Sequence, residues 1–290
     1  MHDWSILVFT ICYTAGVGLM GAVTLSGILL KQRLGPALFY STTRDTIILG
    51  CILAALGLAA SFGHLGYPLN APNAIRHVAT SALSREIVVA SAFIGAACLT
   101  ALVSLRLGSV PLAAVAGCFV IGLLSVWFMG DIYRNASVVT WMHANTHVML
   151  FGGLVLMGSL VGFVLIGPKV ARIVGFSGVL PLLGWTTALV LVGIAAQLAV
   201  LPSYVTAIHA NPMNAVVTYA LHPLEIFQSQ TEMRLLRWLI SFAGAALLLC
   251  AAWRALRNKE STGFTLTFAA TVLLLAGEIV GRYLFYTIYA

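Results

Sequence analysis

The chain is short of charge. Only 8% of its 290 residues are Asp, Glu, Lys or Arg, whereas a soluble domain needs roughly a quarter to cover its surface. That shortage excludes a water-soluble globular fold, so lipid must solvate much of the molecule. Strict alternation of polar and apolar residues is also missing. This excludes a β-barrel and leaves helices to satisfy the backbone inside hydrocarbon. The five cysteines, Cys12, Cys51, Cys98, Cys118 and Cys250, include no CxxC. Neither a disulfide framework nor a thiolate-bound metal can be read from them. No basic n-region precedes the first apolar run, which therefore reads as a permanent span. Tandem repeats and low-complexity tracts are absent as well.

What is present is apolar sequence in long runs. Hydrophobic residues make up 61% of the chain, and the mean hydropathy is +1.02. A helix crosses the hydrocarbon core with about 20 apolar residues. By that measure the expected fold is an all-α integral membrane protein, a bundle of eight transmembrane helices. The spans fall at about 5–30, 46–64, 86–105, 111–133, 145–166, 178–201, 235–256 and 264–288. Most connections are short, so residues 1–290 read as a single domain. The polar stretches 65–85 and 202–234 are long enough to fold over the bundle.

Lys and Arg are unevenly shared between the two sets of loops. Lys31, Arg33, Arg44, Arg106, Lys169, Arg172, Arg254, Arg257 and Lys259 fall on one side; Arg76, Arg85, Arg134, Arg234 and Arg237 fall on the other. The positive-inside rule then puts both termini on the outer, periplasmic side. All seven histidines, His2, His64, His77, His143, His147, His209 and His222, share that outer side. Insertion does not require this, so the outer face is where proton chemistry or polar docking is expected.

Three polar groups sit where apolar residues would be cheaper. They are His64 with Gly66 and Pro68 closing the second span, Arg85-Glu86 opening the third, and Glu278 with Arg282 one helical turn apart in the eighth. A charge at mid-membrane costs at least ~2.5 kcal/mol, so such groups are paired, wet or functional. Bland readings stand beside each: an interfacial helix end for His64, a dipole-stabilised acid for Glu86, and a structural i,i+4 pair for Glu278 and Arg282. His143 and His147 share a helix face at metal-ligand spacing, but no third ligand accompanies them, and a solvated interfacial pair fits as well. Trp4, Trp127, Tyr133, Trp141 and Tyr204 read as interfacial anchors. No pair of inward-facing histidines at matching depth suggests a haem in the bilayer middle.

The stretch His64-Leu65-Gly66 through Pro68, then Ser81-Ala82-Leu83-Ser84-Arg85-Glu86-Ile87, resembles the membrane anchor subunit of dimethyl sulfoxide reductases, the DmsC family. So does Gly277-Glu278-Ile279-Val280-Gly281-Arg282 with Phe285-Tyr286 near the end. The resemblance implies an eight-helix anchor without haem in the bacterial inner membrane. It implies that menaquinol is bound and oxidised here. Electrons would pass to an iron–sulfur partner subunit and then to a molybdopterin catalytic subunit, so iron–sulfur clusters and molybdopterin belong to the partners. The residues matching the family's quinol site are His64, Gly66 and Glu86, with Arg85, Glu278 and Arg282 nearby in sequence or in motif. On that reading His64 accepts a quinol proton, Glu86 is a second acceptor or exit relay, and the walls of the second and third spans hold the isoprenoid tail. Three other readings stay open on the residues alone: a haem b-containing anchor of another respiratory complex, a proton-coupled secondary transporter, and an anchor that binds no quinone.

Overall fold

The computed structural model describes residues 4–64, 67–136, 138–210, 223–258 and 262–287. Among them the regular structure is helical. The long helices are α1 (Trp4–Ser61), α2 (Ala82–Leu107), α3 (Leu112–Arg134), α4 (Asn145–Val174) and α5 (Leu180–Ala210). A short α6 (Pro223–Ser229) precedes α7 (Thr231–Asn258) and α8 (Thr262–Thr287). Seven of these are long and apolar enough to cross a membrane.

α1 is 58 residues long and is broken once, at Gly35 (φ 71, ψ 167). That conformation is open essentially only to glycine. Pro36 follows, its fixed φ suited to restarting a helix. The two arms of α1 then lie against each other in opposite directions. Gly16 abuts Gly50 and Ala54, and Gly57 abuts Phe9 and Tyr13. The connection expected between residues 30 and 46 is thus almost entirely helix, because its Leu, Lys, Arg and Ala residues are good helix formers. The ends of other helices also run past the apolar core. α4 continues through Lys169 and Arg172, whose long side chains can reach the interface.

The first arm of α1 is the hub. Tyr13, Val17, Leu19, Met20 and Val23 are completely buried. α1 packs on α2, α3, α4 and α8, while α7 pairs chiefly with α8. The α1–α4 crossing is tight because Gly18 and Gly158 face one another, and a Cβ on Gly158 would come closer than 3.0 Å to the Gly18 backbone. Small residues at such a crossing let two backbones approach. At the Gly35 end, Lys169 Nζ meets Asp45 Oδ2 at 2.5 Å and Arg44 Nε meets Asp45 Oδ1 at 3.0 Å. Polar and aromatic side chains collect at the opposite end, beside Trp4.

A 3-10 turn, Phe62–His64, leads into the first polar stretch, which holds a longer 3-10 segment, Pro68–His77. Ser81 then caps α2, accepting from the Ser84 N–H at 3.3 Å. In the second stretch, helix α5 runs through Pro202 to Ala210. Residues 211–222 lie outside the described residues.

Candidate functional site

The turn ending in His64 lies at the Trp4 end, where Gly63 packs against Ser5. Gly66 lies outside the described residues, as do His2 and His222. Glu86 sits in the second turn of α2 and is 7% exposed. Its carboxylate is within electrostatic reach of Tyr13, Tyr133 and Tyr286, and it has no ion pair or hydrogen bond among the described residues. Arg85, its neighbour in sequence, turns away: Nε donates to Ser81 O at 3.5 Å, and the guanidinium lies 5.7 Å from the Phe128 ring.

Three helices bring phenols to Glu86. Tyr13 on α1 exchanges a 2.7 Å hydrogen bond with Ser125 on α3. Tyr133 closes α3 and meets Tyr286 of α8, with ring centroids 5.5 Å apart. The Tyr286 hydroxyl is buried near Thr10 and Tyr133 but has no hydrogen-bond partner of good geometry among the described residues. Trp141 holds this end together, donating from Nε1 to Phe285 O at 3.0 Å while stacking on Phe285 and meeting Tyr133 edge to face.

Arg282, within electrostatic reach of Tyr133 and Tyr286, is 1% exposed, and its Nη1 and Nη2 both lack a partner among the described residues. The expected i,i+4 pairing with Glu278 does not form: no ion pair within 4 Å joins them among the described residues. Both groups crowd the bare face of Gly153 on α4 instead. The carboxylate of Glu278 turns to two other helices. Gln197 Nε2 of α5 donates to its Oε1 at 2.8 Å, and Arg237 of α7 lies 3.9 Å away. Arg237 Nη2 also donates to Gln197 Oε1. Interhelical partners win because a buried charge needs several hydrogen bonds, and one helix face cannot supply them.

His143 and His147 do not act as a pair. The His143 ring lies 5.6 Å from Tyr204, and its Nδ1 accepts the Asn145 N–H at 3.1 Å. His147 is buried rather than solvated. Its ring packs on Gly130 and Trp127, and Nε2 donates to Trp127 O at 3.2 Å. His143 lies outside the helices, and its pKa is held below the usual value by partial burial and then by the charge of Arg134. Two apolar recesses of ≈ 280 Å³ each open along α4 and α5 and share Val155, away from the second and third crossings where the tail was expected.

The sequence singles out Glu86, Glu278 and Arg282, and it offers Tyr133 only as an anchor and Tyr286 only as part of the C-terminal motif; it does not mark Tyr13, Ser125, Gln197 or Arg237 as site residues. Two of these carried a signal. Gln197 is an amide inside an apolar run, and Arg237 is a cation within the seventh span. The tyrosines look like any interfacial aromatic until the fold brings them to one carboxylate.

These features define a multi-pass helical membrane protein with a buried cluster of acids, phenols and guanidinium groups at one end of its bundle. The chain matches the family model of the DMSO reductase anchor subunit, DmsC, over residues 1–288, and it belongs to that family. It is 28% identical to the YnfH subunit of an anaerobic dimethyl sulfoxide reductase of Escherichia coli (strain K12), over 98% of this protein and 94% of that one. It is likewise 28% identical to the C subunit of the same organism's anaerobic dimethyl sulfoxide reductase, with the same coverage. The C subunit of the Haemophilus influenzae enzyme is 27% identical over 59% of this protein and 61% of that one. No solved structure matches. The protein is therefore a multi-pass inner-membrane anchor subunit of the dimethyl sulfoxide reductase type.

Proposed function

We propose that this anchor binds menaquinol at the Trp4 end of its bundle, oxidises it, and delivers the electrons to an iron–sulfur partner subunit serving a molybdopterin catalytic subunit. The observation that carries this reading is Glu86: a buried carboxylate within electrostatic reach of three phenols, with no ion pair among the described residues. Oxidising a hydroquinone breaks two O–H bonds, releasing two protons and two electrons. Each hydroxyl needs an acceptor within hydrogen-bond reach as it loses its proton. His64 takes the first proton, and Glu86 takes the second or relays it to the outer water. Gly66 belongs to this site by the family motif alone, Arg85 marks the rim, and Glu278 and Arg282 support the cluster from behind. Side chains conduct electrons poorly over distance, so the quinol is oxidised close beneath a cluster of the partner.

The two arms of α1 are two crossings, which makes eight with the six other long helices. The loop count in the sequence, nine Lys and Arg against five, favours both termini in the periplasm by the positive-inside rule. Protons are then released on the side where the electrons are consumed, and the step is electroneutral. The test is His64→Ala in an assembled complex. Menaquinol-driven reduction of the partner should fall while reduction by an artificial donor persists. Unimpaired menaquinol activity would refute the assignment.

A further inference from the structure

α4 packs on both α3 and α5, which have little contact with each other. The space they leave holds one of the two apolar recesses, ≈ 280 Å³, lined by Leu25 and Ile28 of α1, Phe119 of α3, and Trp185 and Leu189 of α5. Ile28 and Trp185 are exposed, so the recess opens toward lipid. The hydroxyls of Thr24 and Ser26 in its wall donate to Met20 O and Ala22 O of their own helix, at 2.8 and 2.7 Å. Those two offer an occupant no hydrogen bond, and no charged side chain lines the recess among the described residues. Its interior therefore suits a hydrocarbon chain, which asks for no polar partner. A helix, about 10 Å across, is too bulky for this volume.

Charge begins just beyond it. Lys31 stands three residues after Ile28 and seven after Thr24, so it continues the recess-lining face of α1 toward Gly35. Lys31 Nζ donates to Val110 O at 3.3 Å, beside the start of α3, and no acid lies in ion-pair range of it among the described residues. An ammonium has three N–H donors, so it keeps capacity for an anion. Trp185, in the second turn of α5, flanks the same end, where an indole meets lipid head groups. We propose that this recess binds one acyl chain of an anionic phospholipid from the leaflet at the Gly35 end, with the phosphate on Lys31. That leaflet is the cytoplasmic one on the orientation proposed above, but the lipid site stands without it. The bound chain fills the space over α4 and joins α3 to α5 where protein does not.

Native mass spectrometry of the delipidated full chain, titrated in mild detergent with phosphatidylglycerol or phosphatidylcholine, tests this. One phosphatidylglycerol should bind ahead of phosphatidylcholine. Lys31→Gln should weaken that first phosphatidylglycerol about fivefold, the value of one cation at a lipid head group, and leave phosphatidylcholine as it was. Arg257→Gln, in the last turn of α7 and away from the recess, should change neither. Ser159→Phe fills the recess and should weaken both lipids; Leu189→Trp fills it from α5 and serves if the first variant fails to fold. Equal losses in Lys31→Gln and Arg257→Gln would reduce the binding to general surface attraction and overturn the site. So would phosphatidylglycerol binding untouched by Lys31→Gln and by the filling variants. Chain dimers that Ser159→Phe abolishes would overturn it too, giving the recess to a second copy of this protein.

Discussion

Glu86 can accept a proton only as a carboxylate, and an amide of the same size cannot replace it. Glu86→Gln keeps the shape of the phenol-lined cluster and removes that capacity. Menaquinol-driven reduction of the partner should drop by about 100-fold or more, the usual share of a general base, while artificial-donor activity is retained; a smaller loss than tenfold would argue for a purely structural acid. His143 gives a separate prediction in pH. Its folded pKa is depressed by desolvation and by Arg134, below the ordinary value of 6.5. The unfolded chain therefore binds the proton more readily, and stability is fully present above 6.5 and lost as pH falls through 6.5 toward the folded value. The geometry agrees, since Nδ1 must be bare to accept the Asn145 N–H. Thermal unfolding midpoints measured across pH 7.5 to 5 should fall less steeply in His143→Asn than in the parent chain. The acids and Arg282 were legible in the sequence because a charge inside an apolar run has few innocent explanations. The grouping of Tyr13, Tyr133 and Tyr286 was not, since an aromatic near a span end is ordinary, and only the packing of α1, α3 and α8 brings them within electrostatic reach of one carboxylate.

Among the elements, the glycines sort by what surrounds them. Gly158 meets the Gly18 backbone at the α1–α4 crossing, whereas Gly95 and Gly117 have open space within 4 Å. Gly158→Ala should force the two helices apart and cost about 1–3 kcal/mol. Gly95→Ala should be neutral or stabilising by up to about 1 kcal/mol, since glycine inside a helix is itself costly. Unfolding of the reconstituted protein by denaturing detergent compares the two. Gly35 is a backbone case. Its φ of 71° and ψ of 167° make Gly35→Ala cost about 1–3 kcal/mol, read in the same assay, with nothing to clash because its surroundings are empty.

For the molecule as a whole, composition and run length gave the helical membrane class directly, and the order of spans followed. The ends did not, because helices persist beyond hydrocarbon wherever good helix formers continue, as in α4 and α5, and because the turn at Gly35 needs one residue where a polar loop was expected. The arrangement of crossings is testable on single cysteines in an otherwise cysteine-free protein. A cysteine at Gly35 should react with an impermeant thiol reagent only when the cytoplasmic face is open. One at Tyr67, which is 81% exposed, should react in intact spheroplasts. Reaction of both from the same side would dismiss the hairpin of α1.

That hairpin also bears on how the protein is made. The first arm of α1 precedes the other described helices in the chain, and α2, α3, α4 and α8 pack on α1, so it must wait in lipid before those neighbours exist. Its hydroxyls are arranged for the wait. Thr14 donates to Thr10 O at 2.5 Å, Thr24 to Met20 O at 2.8 Å and Ser26 to Ala22 O at 2.7 Å, each within the helix's own turns. The nascent segment thus brings no thirsty hydroxyl into the bilayer at those positions, and biogenesis can begin from a span that is stable alone. Its long-distance polar commitments among the described residues, Tyr13 to Ser125 and Lys31 Nζ to Val110 O at 3.3 Å, are completed only when the chain has been made as far as α3.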